Sequence, residues 1–396
     1  MPDNHSPPTP RTLLLTGGTG LLGSYLIRDL LLDGCDLAVV ARGERRSTAA
    51  DRIEAIVGYW EDLLGKRLGR PTVLEGDLHA PCCGLDAGSL RWVREHCDAV
   101  LHNAASLTFR GPDRDQEPWK SNVTGTMNVL DVAREGGIRH FHHVSTAYVC
   151  GLRTDVVRED DLDVGQDFGN DYERSKVEAE QLVRGAAHLD TVTVLRPSII
   201  VGDSRTGYTT TFHGLFAVIR LGHTLLTRVA LGSTSGPAIL SLLGAPADDH
   251  KNFVPVDWVA SAIAHGVQTP VARGQTFHLT HPAPVSNATI GDVVQEAVER
   301  FSRAASPDDP DLCDERWFAD NLATQLEVYR SYFRNDPTFD RSNTDRLFSH
   351  LPCPDLDHAS LLRMAKFAIE DDFGRAPRPE PPRRAETPKP ASAPAG

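Results

Sequence analysis

The 396-residue chain has no uninterrupted run of about 18 apolar residues, so no membrane span is expected. Its first ten residues, Met1 to Pro10, are polar and proline-rich. They lack the apolar centre of a secretory signal. Cationic charge is in deficit: 41 Lys and Arg against 54 Asp and Glu give a formal net charge of -13. That balance argues against general nucleic-acid binding, because phosphate backbones attract basic surfaces, although it leaves room for a local basic pocket. The seven cysteines (Cys35, Cys82, Cys83, Cys97, Cys150, Cys313, Cys353) are odd in number and lack metal-ligand spacing. Without a signal segment they read as reduced thiols in a cytoplasmic protein. His140, His142 and His143 invite a metal reading. However, His142 and His143 would point to opposite faces of a strand, and His140 and His142 find no third ligand, so no metal is expected.

What is present is ordinary for a globular protein: 40% hydrophobic and 24% charged residues, in a chain long enough for one large or two intimate domains. There is no internal repeat. The informative stretch is Thr12-Leu13-Leu14-Leu15-Thr16-Gly17-Gly18-Thr19-Gly20-Leu21-Leu22-Gly23. An apolar strand breaks into a glycine turn, and helical periodicity resumes through Leu26, Ile27 and Leu30. Gly17, Gly20 and Gly23 would give a tight turn, backbone close to a pyrophosphate, and close packing of helix on strand. Free N–H groups at the helix start would face the phosphates.

Downstream, strand-like and helix-like segments alternate. Strands are expected at 12–16, 37–41, 72–75, 99–102, 141–145 and 192–196. Helices are expected at 47–64, from Val123 to Gly136, and at 172–183. Such alternation implies an α/β fold: a Rossmann-like, doubly wound parallel sheet with helices on both faces. After Gly202 the regularity weakens. Residues 209–243 are apolar and broken by glycines, short strands are expected at 253–256 and 277–280, and late helices at 290–301, 317–333 and 361–369. The expected organisation is a disordered tail at 1–10, a dinucleotide-binding domain at 11–202, and a smaller, mostly helical substrate-binding region at 203–375. Within that region, segments near 253–280 return to the core. A disordered Pro/Ala-rich tail follows at 376–396. The second half is where a substrate pocket would be built, beyond the strand C-termini.

A dinucleotide site usually places Asp or Glu at the end of the second strand to meet the adenosine ribose. This chain has Val39-Val40-Ala41-Arg42, followed by Arg45, Arg46 and Arg52. Arginine there suits a 2′-phosphate, which it grips through two N–H groups, so NADPH is expected over NADH.

Tyr172 and Lys176, four residues apart, share one helix face. A free tyrosine titrates near 10, about three units above neutrality, and a neighbouring cation stabilises its phenolate. Lys176 would supply that charge and hydrogen-bond a nicotinamide ribose. Val144-Ser145-Thr146-Ala147-Tyr148 ends the fifth strand, where either Ser145 or Thr146 could hold a substrate carbonyl.

Together these motifs resemble the extended short-chain dehydrogenase/reductase superfamily. Within it they are most similar to thioester reductases and fatty acyl-CoA reductases with a male-sterility-type NAD(P)-binding domain. The resemblance runs from Thr12 to about Thr280. It rests on the glycine turn, Gly76-Asp77-Leu78, His102-Asn103-Ala104-Ala105, Asn122-Val123-Thr124-Gly125-Thr126, His143 to Val149, and Tyr172-x-x-x-Lys176. Leu195-Arg196-Pro197-Ser198-Ile199-Ile200-Val201-Gly202-Asp203 and Val254-Pro255-Val256-Asp257 complete it. The subfamily likeness uses Arg42 and Ala49-Ala50-Asp51-Arg52-Ile53 as well.

The resemblance implies that Thr146, rather than Ser145, is the catalytic hydroxyl beside Tyr172 and Lys176. It places Gly17, Thr19, Gly20, Leu22 and Gly23 on the pyrophosphate, and Arg42 and Arg52 on the 2′-phosphate. Asp77 and Leu78 would meet the adenine, with Asn103, Ala104 and Ala105 further along the cofactor. Pro197, Ser198 and Ile199 would meet the nicotinamide end. The implied reaction is NADPH-dependent reduction of an acyl thioester to aldehyde, with a second hydride giving alcohol, in lipid or secondary-metabolite biosynthesis. No adenylation or carrier-protein region is evident, so the thioester is expected from coenzyme A or a separate carrier protein. Alternatives on the same scaffold are an alcohol dehydrogenase or ketoreductase and a sugar-nucleotide epimerase or dehydratase. A non-catalytic NADP sensor is disfavoured, since both Tyr172 and Lys176 are kept.

Overall fold

The computed structural model describes residues 12–228, 235–302 and 334–375. The tails expected at 1–10 and 376–396 and the helix expected at 317–333 lie outside the described residues.

The first half alternates as β1 (Thr12–Thr16), α1 (Leu21–Leu32), β2 (Leu37–Ala41), α2 (Ala49–Leu64), β3 (Thr72–Glu75), α3 (Ala87–His96) and β4 (Cys97–His102). It continues with α4 (Gly125–Gly136), β5 (His140–Val144), β6 (Val156–Val157), α5 (Asp171–Arg184), β7 (Thr191–Pro197) and β8 (Ile199–Val201). The second half adds α6 (Leu215–Arg228), α7 (Gly236–Leu243), β9 (His250–Lys251), β10 (Phe253–Pro255), α8 (Val256–Gln268) and β11 (Thr276–Leu279). It ends with β12 (Val285–Ser286), α9 (Asn287–Phe301), β13 (Thr338–Phe339), α10 (Ser342–Leu347) and α11 (His358–Glu370).

Seven strands form one parallel sheet in the order β11-β7-β5-β4-β1-β2-β3. From β1 the chain winds outward through β2 and β3, then crosses back to β4 on the other side. That reversal opens a crevice beyond the C-terminal ends of β1 and β4. Side-chain alternation along β1 fixes the two faces. Leu13 and Leu15 pack with Leu26, Ile27 and Leu30 of α1, Ile53 and Val57 of α2, and Val259 and Ile263 of α8. Leu14 packs with Val93 of α3, Val129 and Val132 of α4, and Val183 of α5. A second core joins Ile199, Val201 and Phe253 to Leu215 and Phe216 of α6, Val293 and Val294 of α9, and Met364 of α11.

Three local features depart from the sequence pattern. The strand expected at 253–256 forms at β10 but pairs with β8, outside the main sheet. The helix expected from Val123 begins as a π-turn over Lys120–Thr124 before α4. Helix α3 has no legible period because Val93 is its one buried residue. No helix among the described residues is long and apolar enough to cross a membrane.

Candidate active site

The glycine turn leaves β1 with Gly17 at φ +73°, a left-handed conformation. A Cβ on Gly17 would stand 2.6 Å from the Ala104 amide nitrogen, and one on Gly23 only 2.0 Å from the Gly17 carbonyl oxygen. Both positions therefore exclude a side chain by backbone contact alone. Gly20 is different: its nearest neighbour would be 3.6 Å away, so it keeps open the space in front of α1. The turn is braced from β4, where Asn103 Nδ2 donates to the Gly17 carbonyl at 3.2 Å. His102 bridges Thr16 Oγ1 (2.7 Å) and Thr126 Oγ1 (3.0 Å).

A cavity of about 590 Å³ lies over the crevice. Its wall brings together Gly17, Thr19, Gly20, Leu22, Gly23, Arg42, Arg52, Asp77, Leu78, Asn103, Ala104 and Ala105 with Ser145, Thr146, Tyr172, Lys176, Pro197, Ser198 and Ile199. The arginines after β2 split: Arg42 and Arg52 face this cavity, whereas Arg45 and Arg46 are not on its wall. Arg42 Nη1 lies 3.6 Å from Asp77 Oδ2. Arg52 reaches Glu44 at 2.9 Å and donates to the Arg42 carbonyl at 2.7 Å, holding the β2–α2 corner. Helix α2 starts there in a capping box, with Thr48 Oγ1 accepting from Asp51 N and Thr48 N donating to Asp51 Oδ2.

At the opposite end, α5 is capped by Asn170, whose side chain accepts from Glu173 N at 2.9 Å. This sets Tyr172 in the first turn and Lys176 one turn on. Thr146 acts on the Tyr172 hydroxyl to lower its pKa. Burial pushes the phenol up to about 12, outweighing the lowering by Thr146. Glu173 adds a smaller upward pull, and the lowering expected from Lys176 is not seen. The ammonium is buried and donates to the Val144 carbonyl at 2.8 Å. Desolvation brings Lys176 down to about 8, against a smaller upward pull from Glu180. Tyr172 thus holds its proton at neutral pH. Ser145 Oγ, by contrast, is buried with no hydrogen-bond partner.

The cavity also takes in Tyr148, named in the sequence only as part of a motif string, and residues that local sequence did not single out: Phe109, Glu173, His213, Lys251 and Arg334. Phe109 packs edge-on against Tyr172, with centroids 6.0 Å apart. Lys251 and Arg334 carry no sequence signal because their contacts cross the chain; Lys251 pairs with Asp336, 85 residues on. His143 lies against His102, with ring centroids 5.5 Å apart. Among the described residues no group of three potential metal ligands converges.

A crevice of this topology with a tyrosine–lysine helix on its wall belongs to the NAD(P)-dependent oxidoreductases of the extended short-chain dehydrogenase/reductase type. Residues 15–263 match the male sterility protein family of NAD-binding domains, and the chain belongs to that family. A nonribosomal peptide synthetase of Aspergillus flavus is 28% identical over 309 residues, which are 73% of this chain and 28% of the synthetase. A fatty acyl-CoA reductase of Drosophila melanogaster is 25% identical over 287 residues, 63% of this chain and 53% of that enzyme. The chain thus spans only part of these curated relatives. The solved terminal R domain from the myxalamid PKS-NRPS biosynthetic pathway superposes with a TM-score of 0.70 at 25% identity, covering 94% of both chains.

Proposed function

We propose that the protein is an NADPH-dependent reductase of acyl thioesters. The carrying observation is that the hydroxyl residues Thr146 and Tyr172, with Lys176, stand on the same cavity wall as the glycine turn. The relatives' names support the reading: one is a fatty acyl-CoA reductase, and the solved structure is the terminal R domain from a PKS-NRPS biosynthetic pathway.

The residues fit a dinucleotide. Gly17 and Gly23 form a cradle that a Cβ would fill, and the start of α1 offers free N–H groups with no side-chain cap. Gly17, Thr19, Gly20, Leu22 and Gly23 would hold the pyrophosphate and Asp77 and Leu78 the adenine. Asn103, Ala104 and Ala105 would line the middle, and Pro197, Ser198 and Ile199 the nicotinamide end. Arg42 and Arg52 would grip a 2′-phosphate, which favours NADPH over NADH. When bound, the dinucleotide supplies hydride.

Thr146 and Tyr172 donate hydrogen bonds to the substrate carbonyl oxygen as negative charge develops there. Tyr172, still protonated at neutral pH, delivers its proton to that oxygen. The lysine ammonium holds the ribose and stabilises the tyrosinate left behind. Reopening of the adduct returns the hydroxyl proton to the Tyr172 tyrosinate as the carbonyl re-forms and the carbon–sulfur bond breaks; the thiolate leaves and takes up a proton from solvent, giving aldehyde and free thiol. The test follows NADPH absorbance across a panel of acyl-CoA thioesters, with wild type beside Tyr172→Phe. Turnover with thiol release, abolished in the variant, is expected. NADPH binding without thioester turnover by the wild type would overturn the substrate class.

A further inference from the structure

Two segments of the reaction centre, Thr146 to Tyr148 and Pro197 to Ile199, are both tied to one carboxylate far along the chain. Asp336 is buried, its side chain 3% exposed. Its Oδ2 accepts from the Tyr148 hydroxyl at 2.7 Å and from Asn252 N at 2.7 Å, while Oδ1 accepts from Lys251 Nζ. Tyr148 N in turn donates to Thr146 Oγ1 at 3.2 Å, and Thr146 Oγ1 donates to the Pro197 carbonyl at 3.4 Å. On the other branch, Asn252 Oδ1 accepts from Ser198 Oγ at 2.7 Å and from His281 N at 2.8 Å. The Asn252 carbonyl accepts from Ile199 N at 3.2 Å.

We infer that Asp336 is a positioning residue of the reductase site. By holding Tyr148 and Asn252 it sets the distance between the Thr146 hydroxyl and the Pro197–Ile199 wall. The inference rests on the reading of the site as a reductase, but it concerns a residue beyond the segment 15–263 that matches the family.

The choice of a carboxylate is informative. A buried charge is costly to desolvate and is retained only where donors converge on it. Charge-assisted hydrogen bonds are also shorter and more directional than neutral ones, which suits a group fixing other groups to within a fraction of an ångström. Lys251 supplies the compensating charge and itself donates to the Arg334 carbonyl at 3.1 Å. Arg334 anchors the same strap to the tyrosine helix and the turn after Tyr148, reaching Glu173 at 3.7 Å and the Gly151 carbonyl at 2.7 Å. Replacing Asp336 by asparagine keeps the shape but removes one acceptor and the charge facing Lys251.

The test uses the full chain, with Asp336→Asn and the milder Tyr148→Phe beside wild type. Misplacement of reacting groups by about an ångström costs on the order of 100-fold, so kcat should fall roughly 10- to 100-fold in Asp336→Asn and less in Tyr148→Phe. NADPH affinity should stay near the wild-type value, and the isotope effect with 4-deuterated NADPH should rise as hydride transfer becomes limiting. Amide hydrogen exchange, read in the NADPH complex independently of turnover, should increase at 144–150 and 197–201 while 12–32 is unchanged. Wild-type kcat in both variants, or unchanged exchange in those two segments, would overturn the inference. So would a uniform loss of protection that reaches 12–32, which would make Asp336 a general stability tie. A wild type that turns over no thioester would sink the proposed substrate instead, and the exchange pattern would still decide the role of Asp336.

Discussion

Replacement of Arg42 by alanine separates the two nicotinamide cofactors. Arg42 sits at the end of β2 with its side chain 63% exposed, 3.6 Å from an Asp77 carboxylate that is 41% exposed. Solvent screens so open a pair, so the arginine gives up little when it turns to a new anion. A 2′-phosphate offers more negative charge than Asp77 and a bidentate geometry. Hydrogen bonds to charged groups contribute about 1.5–3 kcal/mol, and the exposure of Arg42 argues for the lower half of that range. Arg42→Ala should therefore weaken NADPH binding roughly 10- to 40-fold, at about 1.4 kcal/mol per tenfold, and leave NADH within about twofold.

Fluorescence titration with both cofactors, at low and high salt, reads the effect directly. The NADPH loss should shrink at high salt, since exposed charges are screened over a Debye length of about 8 Å at 0.15 M. Equal weakening of NADPH and NADH would refute the reasoning, because NADH has no 2′-phosphate to lose. Arg52→Ala is a poorer test, as that side chain also holds the Arg42 carbonyl.

Lys176 gives a stability prediction of opposite sign to its proposed catalytic one. Its folded pKa of about 8 lies below the unfolded value of about 10.4, so the unfolded chain binds more protons between the two and stability rises with pH across that window. Lys176→Met should abolish turnover yet melt at or above wild type at pH 7, with the gap closing by pH 10 in a thermal-shift series; wild-type activity should fall as pH rises through about 8. His102, His142, His143 and His278 are all buried and lowered by desolvation, to about 3, about 3, well below the usual range, and about 4. They stay neutral in the fold while the unfolded chain takes up protons below about 6.5. Urea unfolding between pH 6.5 and 5 should therefore lose up to roughly 1.4 kcal/mol per pH unit for each histidine.

Most of the sheet was legible because its signals are local. Most main-sheet strands are short apolar runs closed by a turn, and α2 shows in the shared face of Ile53, Val57 and Trp60. The glycine turn and the Tyr172–Lys176 spacing are likewise contained in a dozen residues or fewer. What stayed hidden depends on partners distant in sequence. Lys251 reads as an ordinary charged residue until Asp336 is brought to it, and β10 reads as a sheet strand until β8 takes it. Several residues of the motif strings turn out to be structural ties. Arg196 is sealed against Glu180 at 2.6 Å, Asn122 Nδ2 donates to Ser175 Oγ, Asp203 accepts from the Tyr25 hydroxyl, and Asp257 from Ser204. A recurring string does not distinguish a group that meets a ligand from one that holds the framework. The upward shift of Tyr172 was hidden for a related reason: burial, reinforced by the Glu173 carboxylate, is a property of the assembled fold.

The return of the chain to β11 and α8 after β8 and α6–α7 has a practical meaning for chimera construction. Cutting at Gly202 would strip the edge strand from β7 and uncover Leu13 and Leu15, which Val259 and Ile263 of α8 help to cover. The α6–α7 portion is thus an insert threaded through the scaffold rather than a cap appended to it. Exchanging that portion between relatives calls for grafting 203–249 as a two-ended cassette, with α8 and β11 left in the recipient. It also requires that the donor loop and the recipient's Asp336 still agree on where Tyr148 stands.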